Sequence, residues 1–371
     1  MSPPPTSRRR RVLRGILIGA AAVLVVPVFA VPVFLLAVPP PIADFHPEAW
    51  TPGAAITIDS SSQTEVKATP IMAEAPYGPE DIAIDDAGAV YTGDRDGNII
   101  RVAPDGSSER FARVGGRPLG LAFDADQNLI IANHGAGLQS VSPDGTVTLL
   151  AGEAGGRPIL FANDLVIGSD GVIWFTDSSS RYNTTTLGDL PSYLVPDFVD
   201  GRPTGRLLRY DPATASISEV LDELYFPNGI AFDAEEEALR IAESTRYRIL
   251  EYSLETRERE VLVDDLPGVP DGMNIDADGS VLVALYDRSE ALDSLIFPTA
   301  LAREIMIRLP GSLFVNEENP LTGGVLVLEP GGTVRHWYRG LDPAATNVVP
   351  HDGRWYVGAL LGQPVRVLPA P

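Results

Sequence analysis

From residue 79 onward one phrase recurs: a turn residue, a short apolar run, an acidic or glycine turn, a second apolar run, a polar loop and a third apolar run. It reads PEDIAIDDAGAVYTG from 79, PLGLAFDADQNLIIAN from 118, ANDLVIGSDGVIWFTD from 162, PNGIAFDAEEEALRIAE from 227, PDGMNIDADGSVLVAL from 270 and TNVVPHDGRWYVGAL from 346. Apolar runs this short, bounded by Gly, Asp and Pro, are strand signals. Sets of short strands returning every ~40–50 residues are the mark of blades around a channel. Six copies predict an all-β fold, a six-bladed β-propeller over residues 54–371, with AAITID at 54–59 as the strand that closes the ring onto the last blade.

Two copies are stretched. The third contains residues 178–204. The fifth contains residues 287–322, where EALDSLIF and ALAREIMIRL each predict a short amphipathic helix, broken at Pro298. Loops of that length in a compact fold serve function or lack order. The second helix reads equally as a cover on the channel mouth, a bilayer contact or packing under a blade.

The N-terminus follows a different pattern. Residues 1–14 form a basic segment containing RRRRVLR, and Gly15 to Val38 follow as 24 residues without a charge. That is long enough to cross a hydrocarbon core of roughly 30 Å. The run is too long for the apolar stretch of a cleaved signal and ends in AVPPP, so it predicts one transmembrane helix at 15–38. The arginines stay cytoplasmic, which puts the propeller outside the cytoplasm, behind a Pro- and Ala-rich linker at 39–53.

Charge and composition narrow the chemistry. Residues 1–38 carry five Arg and no acid, and removing those five cations from a net charge of −22 leaves −27 on the remainder. Such a domain repels nucleic acid and attracts cations. Cysteine is absent from the 371 residues, which excludes disulfides, thiolate metal sites and a Cys nucleophile. Oxygen ligands remain, and they favour hard cations such as calcium. The chain has no G-x-S-x-G elbow, H-E-x-x-H or P-loop.

In a propeller the innermost strands begin around one end of the channel, so the residues after each turn should be neighbours. They are Glu80, Leu119, Asn163, Asn228, Asp271 and, by a looser alignment, Asn347. Carboxylates and amides converging on one axis are costly to bury without a cation, and Ca2+ takes 6–8 oxygen ligands. One residue further on lie Asp81 and Asp164, which point the other way along their strands. They read either as a buried second calcium site with the Leu121 carbonyl or as ordinary turn hydrogen bonding. The loops after the second strands bring Asn133 and His134, Asp177 and Ser178, and Glu243, Ser244 and Arg246 toward the mouth. There His134 would be placed to act as a general base.

The segments GPEDIAID, GRPLGLAFD, FANDLVIGSDGVIWFTDSSSRY, GRLLRYDP, LYFPNGIAF, ESTRYRILEY and LPGVPDGMNID closely resemble the strictosidine synthase-like family, including the adipocyte plasma membrane-associated type, over residues 77–285. More distantly the chain resembles gluconolactonases and paraoxonases. The resemblance implies a six-bladed calcium-dependent hydrolase, with Glu80, Asn163, Asn228 and Asp271 as catalytic calcium ligands. It implies Asp81, Asp164 and the Leu121 carbonyl at a structural calcium, and His134 as one member of a histidine dyad. Leu119 stands where the second dyad histidine would be, Gly272 where paraoxonases carry a further amide ligand, and no clear counterpart of the condensing glutamate of true strictosidine synthases is found.

The expected function is calcium-dependent hydrolysis of a small-molecule lactone or aryl ester, with Asp271 or His134 activating water. Two alternatives stand beside it. One is a non-catalytic, calcium-stabilised propeller that binds a small molecule or protein; the other is a condensing enzyme with Glu243 as its acid.

Overall fold

A computed structural model of the chain describes residues 30–42, 44–72, 78–182, 196–310, 313, 322–341, 345–360 and 362–371. The apolar runs form six antiparallel sheets, the blades of a six-bladed propeller, spanning residues 82–113, 117–151, 162–224, 227–263, 268–339 and 345–369. Strands within a blade follow one another in sequence, and each blade's first strand packs beside the next blade's first strand. Each interface between blades is filled by the alternate apolar side chains of both. Ala132, Ile173 and Phe175, for example, lie together between blades 2 and 3. Leu282, Val348 and Trp355 do the same between blades 5 and 6. A side chain fully buried in this way contributes about 1.5–3 kcal/mol.

The ring closes further along the chain than the sequence predicts. Residues 54–59 are not a strand; Ile56 and Ile58 pack on the core between blades 4 and 5 instead. The closing strand is Thr69–Pro70, antiparallel to Arg366–Pro369 as the outer strand of blade 6. Just before it, Gln63–Glu65 pairs in parallel with the outer edge of blade 5. A proline is tolerated in such an outer strand because no further strand needs its missing N–H.

Residues 15–29 of the expected spanning segment lie outside the described residues. Residues 30–37 are helical, and no helix among the described residues is long and apolar enough to cross a membrane. The two helices expected in the fifth copy are present as Leu292–Ile296 and Ala300–Met306. They form a cap over the channel mouth, tied down by the buried Arg303. Its Nε donates to the Phe297 carbonyl at 2.9 Å and its Nη1 to the Val199 carbonyl at 2.9 Å. The structure bears out the reading of this segment as a cover on the mouth.

Candidate functional site

The site is built by a repeated irregularity at the start of each inner strand. In blades 3 to 6 the first and second strands are paired at Ala162, Pro227, Pro270 and Ala345, then skip two residues and resume at Leu165, Ile230, Met273 and Val348. A bulge of this kind re-aims side chains. These two positions, with their counterparts in blades 1 and 2, form two rings. The outer ring faces the mouth and contains Glu80, Leu119, Asn163, Asn228, Asp271 and Thr346. The inner ring contains Asp81, Gly120, Asp164, Gly229, Gly272 and Asn347. Asn347 therefore belongs one position deeper than its sequence alignment placed it; its amide donates to Asp81 Oδ1 at 2.6 Å. Glycine is required at Gly229, where a Cβ would stand 2.4 Å from the Asp271 carbonyl oxygen of the next blade.

The outer ring, apart from Thr346, forms the floor of a cavity of about 730 Å³. Glu80, Asn163, Asn228 and Asp271 all line it, joined by two residues the sequence reading missed, Arg117 and Tyr286. Arg117 Nη2 holds Glu80 Oε2 at 2.6 Å, both nearly buried. Tyr286 hydrogen-bonds Asp271, and Asn228 Nδ2 donates to Asp271 Oδ1 at 2.5 Å. Burial raises the pKa of Asp271 well above the carboxylate range, and the neighbouring Glu80 charge raises it further. Burial raises Glu80 as well, against the pull of Arg117. Phe161, Phe198 and Phe226 wall the cavity, and the cap roofs it with Leu292, Ile296 and Met306.

A hydrogen-bond relay runs around the floor. Asn163 Nδ2 donates to Ser178 Oγ, which donates to the Pro227 carbonyl; Asn228 Nδ2 donates to Ser244 Oγ, which donates to the Pro270 carbonyl. Each proline directly precedes the next blade's floor residue, so the relay sets one floor side chain from the last. With their nitrogens engaged this way, the amides are left to offer oxygens to the cavity.

In the inner ring the hydrogen bonds of the second reading are present. Asp81 accepts from Asn347 and from the Leu121 N–H at 2.7 Å. Asp164 accepts from the Leu165 N–H and, across the blade boundary, from the Ile230 N–H at 3.0 Å. Both carboxylates clamp adjacent blades together.

His134 also departs from expectation. It occupies the strand position of Ser178 and Ser244, but it is absent from the cavity lining and fully buried, its ring stacked on Phe161 at 3.9 Å. Burial and the Arg117 charge lower its pKa to about 3, leaving a neutral, weakly basic imidazole. Glu243 is likewise buried outside the lining, with its oxygens on the Tyr225 N–H and on Arg248. Asp177, its counterpart in blade 3, accepts from the Phe161 N–H and pairs with Arg206 at 2.5 Å. These acids hold the strand ends and leave the floor to the outer ring.

Residues 82–293 match the family model described as the SMP-30/gluconolactonase/LRE-like region. The chain belongs to that family. It is 33% identical to strictosidine synthase-like protein 7 of Arabidopsis thaliana over 76% of both chains. It is 31% identical to the adipocyte plasma membrane-associated protein of Salmo salar, covering 74% of this chain and 68% of that one. Against strictosidine synthase-like protein 4 of Arabidopsis thaliana the identity is 36%, but the chain spans only 56% of that relative's length. Among solved structures, this family member resembles a gluconolactonase from Xanthomonas campestris at 20% identity, with a TM-score of 0.61 over 88% of this chain and 97% of that one. A calcium-binding regucalcin from Agrobacterium tumefaciens shares the fold at 14% identity, TM-score 0.56, over 80% and 86%.

Does the floor suit a cation? Among the described residues no three His, Cys, Asp or Glu side chains gather into a cage of their own. The outer ring instead offers two carboxylates and two amides, an oxygen-only set matched to calcium. Asp271 is buried and Glu80 nearly so, each is raised in pKa, and the one guanidinium paired with them, Arg117, is held by Glu80. A divalent cation would relieve that cost, so the residues present fit the ion.

Proposed function

We propose that this chain is a calcium-dependent hydrolase of lactones or aryl esters. The observation that carries the reading is a buried floor of oxygen donors at the base of an otherwise apolar cavity. Glu80, Asn163, Asn228 and Asp271 would hold calcium, which when bound supplies a Lewis acid for the substrate carbonyl. Asp271 is the group placed to accept a proton from an attacking water and return it to the departing oxygen, and Tyr286 and Asn228 fix its orientation. Arg117 keeps Glu80 aimed across the floor. The gluconolactonase neighbour and the family support hydrolysis, and the regucalcin neighbour's description as calcium-binding supports the metal.

The uncharged run at 15–38 is proposed as a single membrane anchor that holds the propeller outside the cytoplasm, in keeping with the names of the adipocyte plasma membrane-associated relatives. The test is turnover of a lactone and aryl ester panel by the full chain, with calcium and with chelator. Calcium-dependent hydrolysis should fall by about 100-fold or more in Asp271→Asn. An inactive parent that still binds calcium would favour the non-catalytic binding propeller, and an Asp271→Asn variant at the parental rate would remove the proposed base.

A further inference from the structure

The cap is apolar around the mouth as well as toward the cavity. Leu292, Ile305 and Met306 line the cavity, and Leu295, 64% exposed, lines it together with Leu309 and Leu313 while standing open at its rim. Leu301, 50% exposed, lies outside the lining. These four exposed leucines form an apolar rim of the kind that marks an interaction surface. Of the nine large hydrophobic side chains exposed among the described residues, four are these and two more, Val33 and Leu36, lie on the helix at 30–37. The two segments are joined, because Arg308 Nε donates to the Val38 carbonyl at 2.7 Å and Ile42 packs with Ile296 and Met306.

Two observations identify what covers this face. The 24-residue uncharged run ends at Val38, which is the residue that meets the cap. And the cap's arginines are engaged internally: Arg303 on backbone carbonyls, Arg308 on Glu304 at 2.6 Å and Arg288 on Asp293 at 2.8 Å. Among the described residues of the cap no arginine is left to form a basic rim for an acidic partner.

We infer that the cap and residues 30–38 form a docking face that rests on the lipid bilayer, so that substrates with an apolar portion pass from lipid into the cavity. Building on the proposed anchor and hydrolase, this assigns the orientation of the mouth and the substrate class. Because docking is apolar, zwitterionic lipid suffices, unlike polybasic attachment.

The chain has no cysteine, so a single introduced one can be labelled uniquely. The full chain carrying Leu301→Cys or, as reference, Val261→Cys on the outer strand of blade 4 is labelled with an environment-sensitive fluorophore and reconstituted in phosphatidylcholine vesicles containing nitroxide-bearing lipid. The label at 301 should be quenched by the lipid nitroxide and the label at 261 should not. A label at 301 as open to water as that at 261 overturns the inference. So does one shielded from water yet unquenched, which would mean that residues 1–29, a second copy or another protein covers the face. Loss of the whole chain from vesicles on a carbonate wash reports failure of the anchor separately. In the second arm, Leu301→Asp should lower kcat/KM for a bilayer-resident long-chain ester by about tenfold and leave turnover of a water-soluble aryl ester unchanged. Hydrolysis of neither ester by the parent counts against the hydrolase, while the label at 301 still decides the docking.

Discussion

At the residue scale the carboxylates fall into separate tasks. Glu80 and Asp271 face the cavity, whereas Asp164 spends one oxygen on its own strand and the other on the Ile230 N–H of the next blade. Burial, and then the Asp81 charge, raises its pKa, and the two backbone donors are what it satisfies. Asp164→Ala should therefore leave buried N–H groups without an acceptor and cost about 1–3 kcal/mol, read from urea unfolding. Added calcium should stabilise the variant by as much as it stabilises the parent. A smaller increment in the variant would return Asp164 to the ligand set. This division of labour was half legible in the sequence. The dipeptides Glu80-Asp81 and Asn163-Asp164 showed two phases, but turn residues and metal ligands are the same residue types, so the sequence alone does not separate the two tasks. Arg117 was missed because it precedes the turn positions that were compared, and Tyr286 because the second-strand set of His134, Ser178 and Ser244 was not carried on to blade 5, where Tyr286 holds the same place. The available signal was that blade 2 has the apolar Leu119 on the floor, so a neighbouring residue must supply its polar contact.

At the element scale the cap is held by a short helix, residues 196–200, whose Phe198 and Val199 carbonyls receive Arg303. Asp197 on that helix is buried beside Ser179, and burial raises its pKa from 3.8 to about 8. The folded chain keeps this proton up to about pH 8, while the unfolded chain releases it near the ordinary value. Its contribution to stability is thus complete below the unfolded value, declines as pH rises toward 8 and is lost above it. Between pH 6 and 8 the parent should lose on the order of 2 kcal/mol relative to Asp197→Asn, whose amide carries no charge to desolvate. Thermal melts of both across that range check it, and parallel curves would show that Asp197 is already ionised in the fold. The cap's two helices were legible from periodicity and Pro298. Their place over the mouth was not, because an amphipathic pattern shows that a face is covered and not by what.

At the scale of the whole molecule, six copies of one phrase were enough to specify the propeller, since each copy leaves an apolar face that only another copy can cover. Where the ring closes was not legible in the same way. The closing strand pairs at only Thr69 and Pro70, too short to carry a period, and AAITID alternates better while packing as an extended flank. With so few ladder bonds, closure rests on side chains next to the strand, above all Met72, buried against Ile82, Val102 and Val365 from the first and last blades. Met72→Ala should cost about 2–5 kcal/mol, more than its place beside a two-residue strand would indicate. Because the seam joins the first blade to the last, its loosening should lower one cooperative transition for the entire ring. Calorimetry of the full chain distinguishes the outcomes: a single transition at lower temperature marks the seam as part of the ring's common core. A separate early transition with the main one unmoved would mean that the blades hold together without it.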